Sequence, residues 1–178
     1  ALQLDPAQAS AGRNRAEALF QKGDYPRALE SFRALPGASG PEIQSRIAAS
    51  LFQLGRDEEA LGTYKKLQKS LPFDAALGEG LIYQRRESPR PAEEPLRRAL
   101  ALAGPAQRPR VLGVLALALV GLKQDREARL LAEEALGADP ENAEAHLALS
   151  TLALRDNDLE AAEIHLKAGS SAGAGQTD

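Results

Sequence analysis

The chain has 178 residues, of which 22 are basic and 25 acidic, and its formal net charge is −3. Because charges of both signs are interleaved and nearly balanced, we expect neither nucleic acid nor an anionic membrane surface as a partner. Cysteine is absent, which excludes disulfides and thiolate metal sites, and aromatic residues make up only 4% of the chain. The abundance of Ala, Leu and Arg favours helices over strands.

An alanine followed four residues later by a bulkier or apolar position recurs five times. The pairs are Ala28/Phe32, Ala60/Tyr64, Ala92/Leu96, Ala128/Ala132 and Ala162/Leu166, with alanines spaced by 32, 32, 36 and 34 residues. A second series precedes them at intervals of 34, at Ile47-Ala48, Leu81-Ile82, Leu115-Ala116 and Leu149-Ser150. A fixed period with two helices per unit is typical of a solenoid. The small alanines would let the two helices of a pair approach closely.

The pattern predicts five helix pairs. Their first helices should lie near 11–22, 42–54, 75–87, 109–122 and 143–155, and turn residues separate them from the second helices at 23–24, 55–57, 88–89, 124–125 and 156–158. In the third pair Pro89, Pro91 and Pro95 crowd the start of the second helix. Since proline is tolerated only in a first helical turn, we expect that helix to begin near Pro91.

At these residues the pattern resembles the tetratricopeptide repeat family. The family pattern has L-G-x-x-Y in the first helix, A-x-x-x-F in the second and a closing proline. Residues 41–74 match it with Ile47-Ala48-x-x-Leu51, Gly55, Ala60-x-x-x-Tyr64 and Pro72. The resemblance covers residues 9–170, divided into repeats 9–40, 41–74, 75–108, 109–142 and 143–170. It implies an all-α fold, a right-handed superhelical solenoid of antiparallel helix pairs.

The two ends have their own signals. Residues 1–6 resemble the repeat end at 135–140, so we expect 1–8 to be the end of a preceding repeat or an N-terminal extension. The chain does not begin with Met, which indicates a processed or trimmed end. The Ala-, Leu- and Arg-rich composition suggests a bacterial protein, and the sequence leaves open whether it resides in the cytoplasm or the periplasm. The Gly- and Ser-rich stretch 169–175 predicts flexibility, with a flexible tail at 171–178. Since no polar capping helix is visible, we expect the last repeat to expose Leu152, Ala161 and Ile164. This surface would receive either the next repeat of a longer parent chain or a second copy, by self-association.

The resemblance places a partner-binding groove on the concave face, which the first helices line. The groove residues it implies are Arg46, Ala49, Phe52, Gln53, Tyr83, Arg86, Arg110, Val114, Leu117, Val120, Leu147, Thr151, Leu154 and Arg155. Two interpretations stay open for Val114, Leu117 and Val120: an open apolar strip for a partner, or core covered by neighbouring repeats. The arginines would either hold partner carboxylates or form a solvated rim.

Catalysis has little support in the sequence. The histidines, His146 and His165, lie on separate predicted helices without a nucleophile or ligand cluster nearby, and His146 falls at a packing position. No glycine loop is suited to phosphate. We therefore expect no enzyme activity, no cofactor and no metal.

These observations predict a non-catalytic protein-protein interaction module that binds a partner peptide or helix, as a scaffold, adaptor or assembly factor. It would bind protein, without nucleic acid and without membrane insertion. The alternative is an internal structural or substrate-recruiting segment of a larger multidomain protein or enzyme.

Overall fold

The computed structural model describes residues 6–174, which form ten α-helices and, within that range, no β-strand. In chain order they are α1 (Pro6–Gln21), α2 (Tyr25–Arg33), α3 (Pro41–Gln53), α4 (Asp57–Leu67), α5 (Pro72–Arg85), α6 (Pro89–Leu102), α7 (Arg108–Gly121), α8 (Asp125–Ala138), α9 (Ala143–Arg155) and α10 (Leu159–Ala174). The predicted all-α solenoid of five helix pairs is confirmed. The expected repeat end at 1–6 lies mostly outside the described residues, and α1 begins at Pro6.

The five turns within the helix pairs share one backbone conformation. Each contains a residue with positive φ, namely Gly23, Gly55, Glu87, Lys123 and Asn157. The next amide donates to a carbonyl five residues back, as from Asp24 to Leu19 at 2.9 Å and from Gln124 to Leu119 at 3.0 Å. This arrangement caps the first helix and reverses the chain. All five turns occur where the sequence predicts them.

The chain divides into two compact units, residues 1–82 and 83–178. In the first unit α1 packs on α2, α2 on α3 and α3 on α4. Its core includes Ala28, Phe32, Ala60 and Tyr64. The ring of Tyr64 lies so close to Gly78 that a Cβ there would overlap it.

In the second unit α7 is surrounded by other helices. It packs on α6, α8 and α9, while α9 also packs on α8 and α10. Nine of its fourteen residues are buried, which explains why its sequence is apolar on nearly every side. Of the two interpretations of this segment, burial by neighbouring helices applies to most of it.

The alanine series marks the contacts between helices. Ala28, Ala60, Ala92, Ala128 and Ala162 are all at most 1% exposed, which confirms that the recurring alanines are packing positions. Their partners four residues on are buried as well, with one exception: Leu166 in α10 is 48% exposed.

The bounds of two helices differ from the expectation. The helix expected to start near Pro91 begins two residues earlier, at Pro89, which leaves Pro95 inside it, one turn beyond the proline-tolerant start. Pro95 is buried, and the helix continues past it although the Pro91 carbonyl loses its usual amide donor. At the other end, α10 continues through 169–174, and the flexibility expected of this stretch stays a prediction. Residues 175–178 of the predicted tail lie outside the described residues.

Candidate functional site

The predicted groove residues of the first unit lie on α3. Gln53 is exposed, whereas Ala49 and Phe52 are half-buried. The guanidinium of Arg46 is 2.9 Å from a carboxylate oxygen of Glu17 and 5.8 Å from the centre of the Phe20 ring. Arg46 therefore links α3 to α1 within the chain.

In the second unit, two predicted groove residues are core instead. Val114 and Val120 are only 1% and 4% exposed, so they cannot form an open strip for a partner. Helices α6, α8 and α9 surround α7, and the guanidinium of Arg155 on α9 donates to the Val120 carbonyl at 2.9 Å. Leu117 is the one member of the proposed strip that is partly exposed.

Among the predicted groove residues of the second unit, the exposed apolar ones lie on α9. Leu147 and Leu154 are 46% and 51% exposed, and half-buried Thr151 lies between them. Residues separated by four and seven positions share one face of a helix. These three predicted groove residues therefore form a stripe along α9, which we call the α9 stripe.

The arginines predicted to line the groove differ in their engagement. Arg155 pairs with Asp125 in addition to its bond to Val120. Arg86 is half-buried, as is Tyr83. Arg110 is exposed and forms no ion pair with any described residue.

A cleft of about 410 Å³ opens between the start of α9 and the end of α10. The residues that line it are Ala143, Glu144, Leu147, His165, Leu166, Gly169 and Ser170. Leu147 belongs to both the α9 stripe and this cleft, which we call the terminal cleft. Sequence reasoning placed only Leu147 in a site; Leu166 was recognised only as the bulky partner of Ala162 in the alanine series.

Beside the terminal cleft, two histidines join α9 to α10. Nε2 of His146 is 3.0 Å from the Pro140 carbonyl, and the two Nδ1 atoms of His146 and His165 are 3.0 Å apart. Because a carbonyl only accepts, His146 donates from Nε2, and its Nδ1 accepts from His165 when His146 is neutral. Burial lowers the pKa of His165, with smaller contributions from His146 and Arg129. His146 is 8% exposed, which confirms it as a packing residue.

The self-association surface expected on the last repeat is only partly exposed. Ile164 is 58% exposed and Ala161 is half-buried, but Leu152 is 1% exposed and belongs to the core of the α9–α10 pair. Leu152 is therefore withdrawn from that surface. Its burial follows from the α9 geometry, because Leu152 lies on the side of α9 opposite to the exposed stripe.

The described residues contain no group of three or more His, Asp or Glu side chains placed to hold a metal ion. Across residues 6–174, none of the helices combines the length and apolar character needed to cross a membrane.

Solved structures with the same fold include several MamA proteins. MamA 41-end from Desulfovibrio magneticus RS-1 has a TM-score of 0.70 and 22% identity, covering 96% of this chain and 97% of that one. A MamA RS-1 double mutant has a TM-score of 0.70 and 23% identity, covering 94% and 96%. MamA MSR-1 has a TM-score of 0.67 and 18% identity, covering 94% and 97%. At these identities the likeness concerns the fold alone.

Compared with curated protein sequences, the chain has no match. A family model described as tetratricopeptide repeat matches residues 1–43 and 114–175, which together exceed half of the chain. The match agrees with the five helix pairs and their buried alanines. The chain belongs to the tetratricopeptide repeat family.

Proposed function

We propose that this protein is a non-catalytic interaction module that binds a protein partner through the α9 stripe, formed by Leu147, Thr151 and Leu154. Membership of the tetratricopeptide repeat family suggests a protein-protein interaction scaffold. The observation that carries the finer proposal is the distribution of exposed apolar side chains. Five of the seven large hydrophobic residues that are exposed among the described ones lie on α9 and α10.

A cluster of this kind favours an interaction surface over chance exposure. Single exposed leucines are ordinary on protein surfaces, whereas grouped ones mark sites where a partner excludes water. A few well-packed residues near the centre of an interface usually carry most of its affinity. Leu147 and Leu154, two helical turns apart, would be such anchors.

Other predicted groove residues of the second unit would extend this surface. Leu117 occupies on α7 the position that Thr151 occupies on α9, 34 residues later. Arg110, exposed and unpaired among the described residues, would attract partner carboxylates at long range. Tyr83 and Arg86 in the second unit stay predicted groove residues, as do Arg46, Ala49, Phe52 and Gln53 within the first unit.

The experiment is affinity capture from cells that make the protein, followed by titration calorimetry with the purified captured protein. We expect Leu147→Glu/Leu154→Glu to lose the partner, since it places two carboxylates on the stripe. Leu130→Glu is the matched control, because Leu130 on α8 is 59% exposed but lies outside the stripe. Equal affinities of the double variant and the control for the purified partner would refute the proposal.

A further inference from the structure

We infer that the terminal cleft between α9 and α10 receives an amphipathic helix with basic flanks, supplied by a protein partner. This inference rests on the proposed function and specifies the kind of partner. Three features of the second unit support it: an equivalent surface that is already covered, an apolar residue where the earlier pairs have a polar residue or glycine, and the charges that surround the cleft.

The α7–α8 pair provides the occupied equivalent. Helix α9 packs on both α7 and α8, and beneath it Val120 and Ala132 are 4% and 0% exposed. The residues 34 positions later are Leu154 and Leu166, and both are about half exposed. The last helix pair therefore presents, uncovered and with larger apolar side chains, positions that a helix covers in the pair before it.

The last pair also differs from the earlier ones at the position that meets the start of the next repeat. The side chain of Asn142, at the start of α9, lies so close to Gly113 that a Cβ on Gly113 would overlap it. The corresponding positions of the earlier pairs are polar: Ser45, which donates to Asp74 at 3.1 Å, and buried Glu79. In the last pair the corresponding residue is Leu147, which is apolar and 46% exposed. An occupant of this surface would therefore place apolar side chains against Leu147, where the preceding pairs meet polar ones.

A helix suits the terminal cleft better than an extended segment does. An extended backbone must bond its N–H and C=O groups to the protein. The cleft is lined mainly by Ala143, Leu147, Leu166 and Gly169, and no sheet edge exists in the described part of the chain. A helix satisfies its own backbone and needs only an apolar face, as in helix-in-groove recognition.

The charges around the cleft favour basic flanks. Residues 143–171 carry five carboxylates and two basic side chains. Both basic groups are engaged, Arg155 with Asp125 and Lys167 with Glu163. Glu144 lines the cleft and, among the described residues, has no ion pair. A partner with Lys or Arg beside its apolar face would meet this uncompensated carboxylate.

The test is selection from a peptide-display library of random 18-residue sequences on the full chain, with counter-selection on Leu147→Glu. We expect enriched peptides with apolar residues at i, i+3 or i+4, and i+7 and with Lys or Arg on the flanks. A synthetic peptide of the enriched sequence should bind Leu130→Glu as tightly as the wild type. Its affinity should fall about fivefold in Glu144→Lys at low salt, and by less at high salt.

Extended or acidic-flanked peptides that depend on Leu147 would overturn the helix inference and leave the proposed function standing. A parallel selection without the counter-selection step would remove both if all the peptides it enriches bind Leu147→Glu and wild type alike. Sedimentation of the wild type decides about a second copy as occupant: a dimer that Leu147→Glu dissociates would overturn the inference, and monomers up to high micromolar concentrations would support it.

Discussion

The side chain of Asn142 fits over the backbone of Gly113, and no larger residue could take the place of that glycine. Asn142 is buried, donates from Nδ2 to the Pro109 carbonyl at 3.1 Å and accepts from the Ala145 amide at 2.9 Å. It thus caps α9 and fastens it to α7 at the same time. With both ends of its amide held, Asn142 cannot move aside.

Gly113→Ala should therefore destabilise the protein by about 1–3 kcal/mol, as overpacking usually does. The sign of the change in unfolding free energy is informative, because Gly→Ala inside a helix otherwise stabilises a protein by about 0.5–1 kcal/mol. Gly62→Ala is the matched control: Gly62 lies within α4, is exposed, and has open space where a Cβ would be placed. Urea unfolding of both variants measures the difference. A gain in stability for both would contradict the close approach at Asn142.

Ala128→Leu should cost about 1–3 kcal/mol, because Ala128 is fully buried where α8 packs on α7. Ala101→Leu on the exposed side of α6 adds the same side chain and should change stability by less than about 0.5 kcal/mol. Thermal unfolding followed by circular dichroism compares the two. Equal melting temperatures for Ala128→Leu and wild type would mean that the alanine series has been assigned to the wrong helix face.

Lys123→Gly should stabilise the protein by about 1 kcal/mol. Lys123 has a φ of 60° in the turn between α7 and α8, where a side chain costs about 1–2 kcal/mol relative to glycine. The same turn position is already glycine at Gly23 and Gly55. Gly55→Ala should lower the free energy of unfolding by a similar amount. The urea midpoints of the two variants should therefore shift in opposite directions. Shifts in the same direction would show that the turns are not equivalent.

The sequence predicts the helix pairs well because their signals are local. Each helix pair is marked by an alanine four residues before a bulky or apolar position, and the next such alanine follows 32 to 36 residues later. This pattern can be recognised without knowing which helices pack together. The positive-φ turns are equally local, since Gly23 and Gly55 mark them directly.

The candidate site depends on contacts that local patterns do not reveal. Counting positions from the repeat start put Val114, Leu117 and Val120 on one face, and left open whether that face is exposed or covered. Yet the count cannot show that Arg155, 35 residues further along, bonds to the Val120 carbonyl. The pairing of His146 with His165 was missed for the same reason, because each side chain has its partner on another helix.

Val114→Glu and Leu117→Glu should separate core from surface on α7. A carboxylate at buried Val114 has no partner and should cost at least about 3 kcal/mol. At Leu117, which is partly exposed, the carboxylate can reach water, so the protein should fold while losing affinity for its partner. Far-ultraviolet circular dichroism and calorimetry measure the two effects. A folded Val114→Glu variant with wild-type melting temperature would contradict the burial of α7.

The histidine pair predicts the stability of the last helix pair as a function of pH. Burial, followed by His146 and Arg129, lowers the pKa of His165 below its ordinary value of 6.5. The unfolded chain therefore binds more protons than the native protein just below pH 6.5, and stability must fall as the pH drops through that value. It levels off once the pH is below the native pKa. Measurements between about pH 5 and 7.5 avoid most of the carboxylate titration.

The control for this effect is His146→Leu/His165→Leu, which installs the residues present at Leu112 and Leu131 of the preceding helix pair. Its free energy of unfolding should change less over the same pH range, because His165 with its lowered pKa is gone while leucines provide an apolar contact between the helices. Hydrogen exchange at the α9 and α10 amides would localise the difference. If the double variant loses as much stability as wild type between pH 7.5 and 5, some other group is responsible for the pH dependence, and the histidine pair is a neutral packing contact.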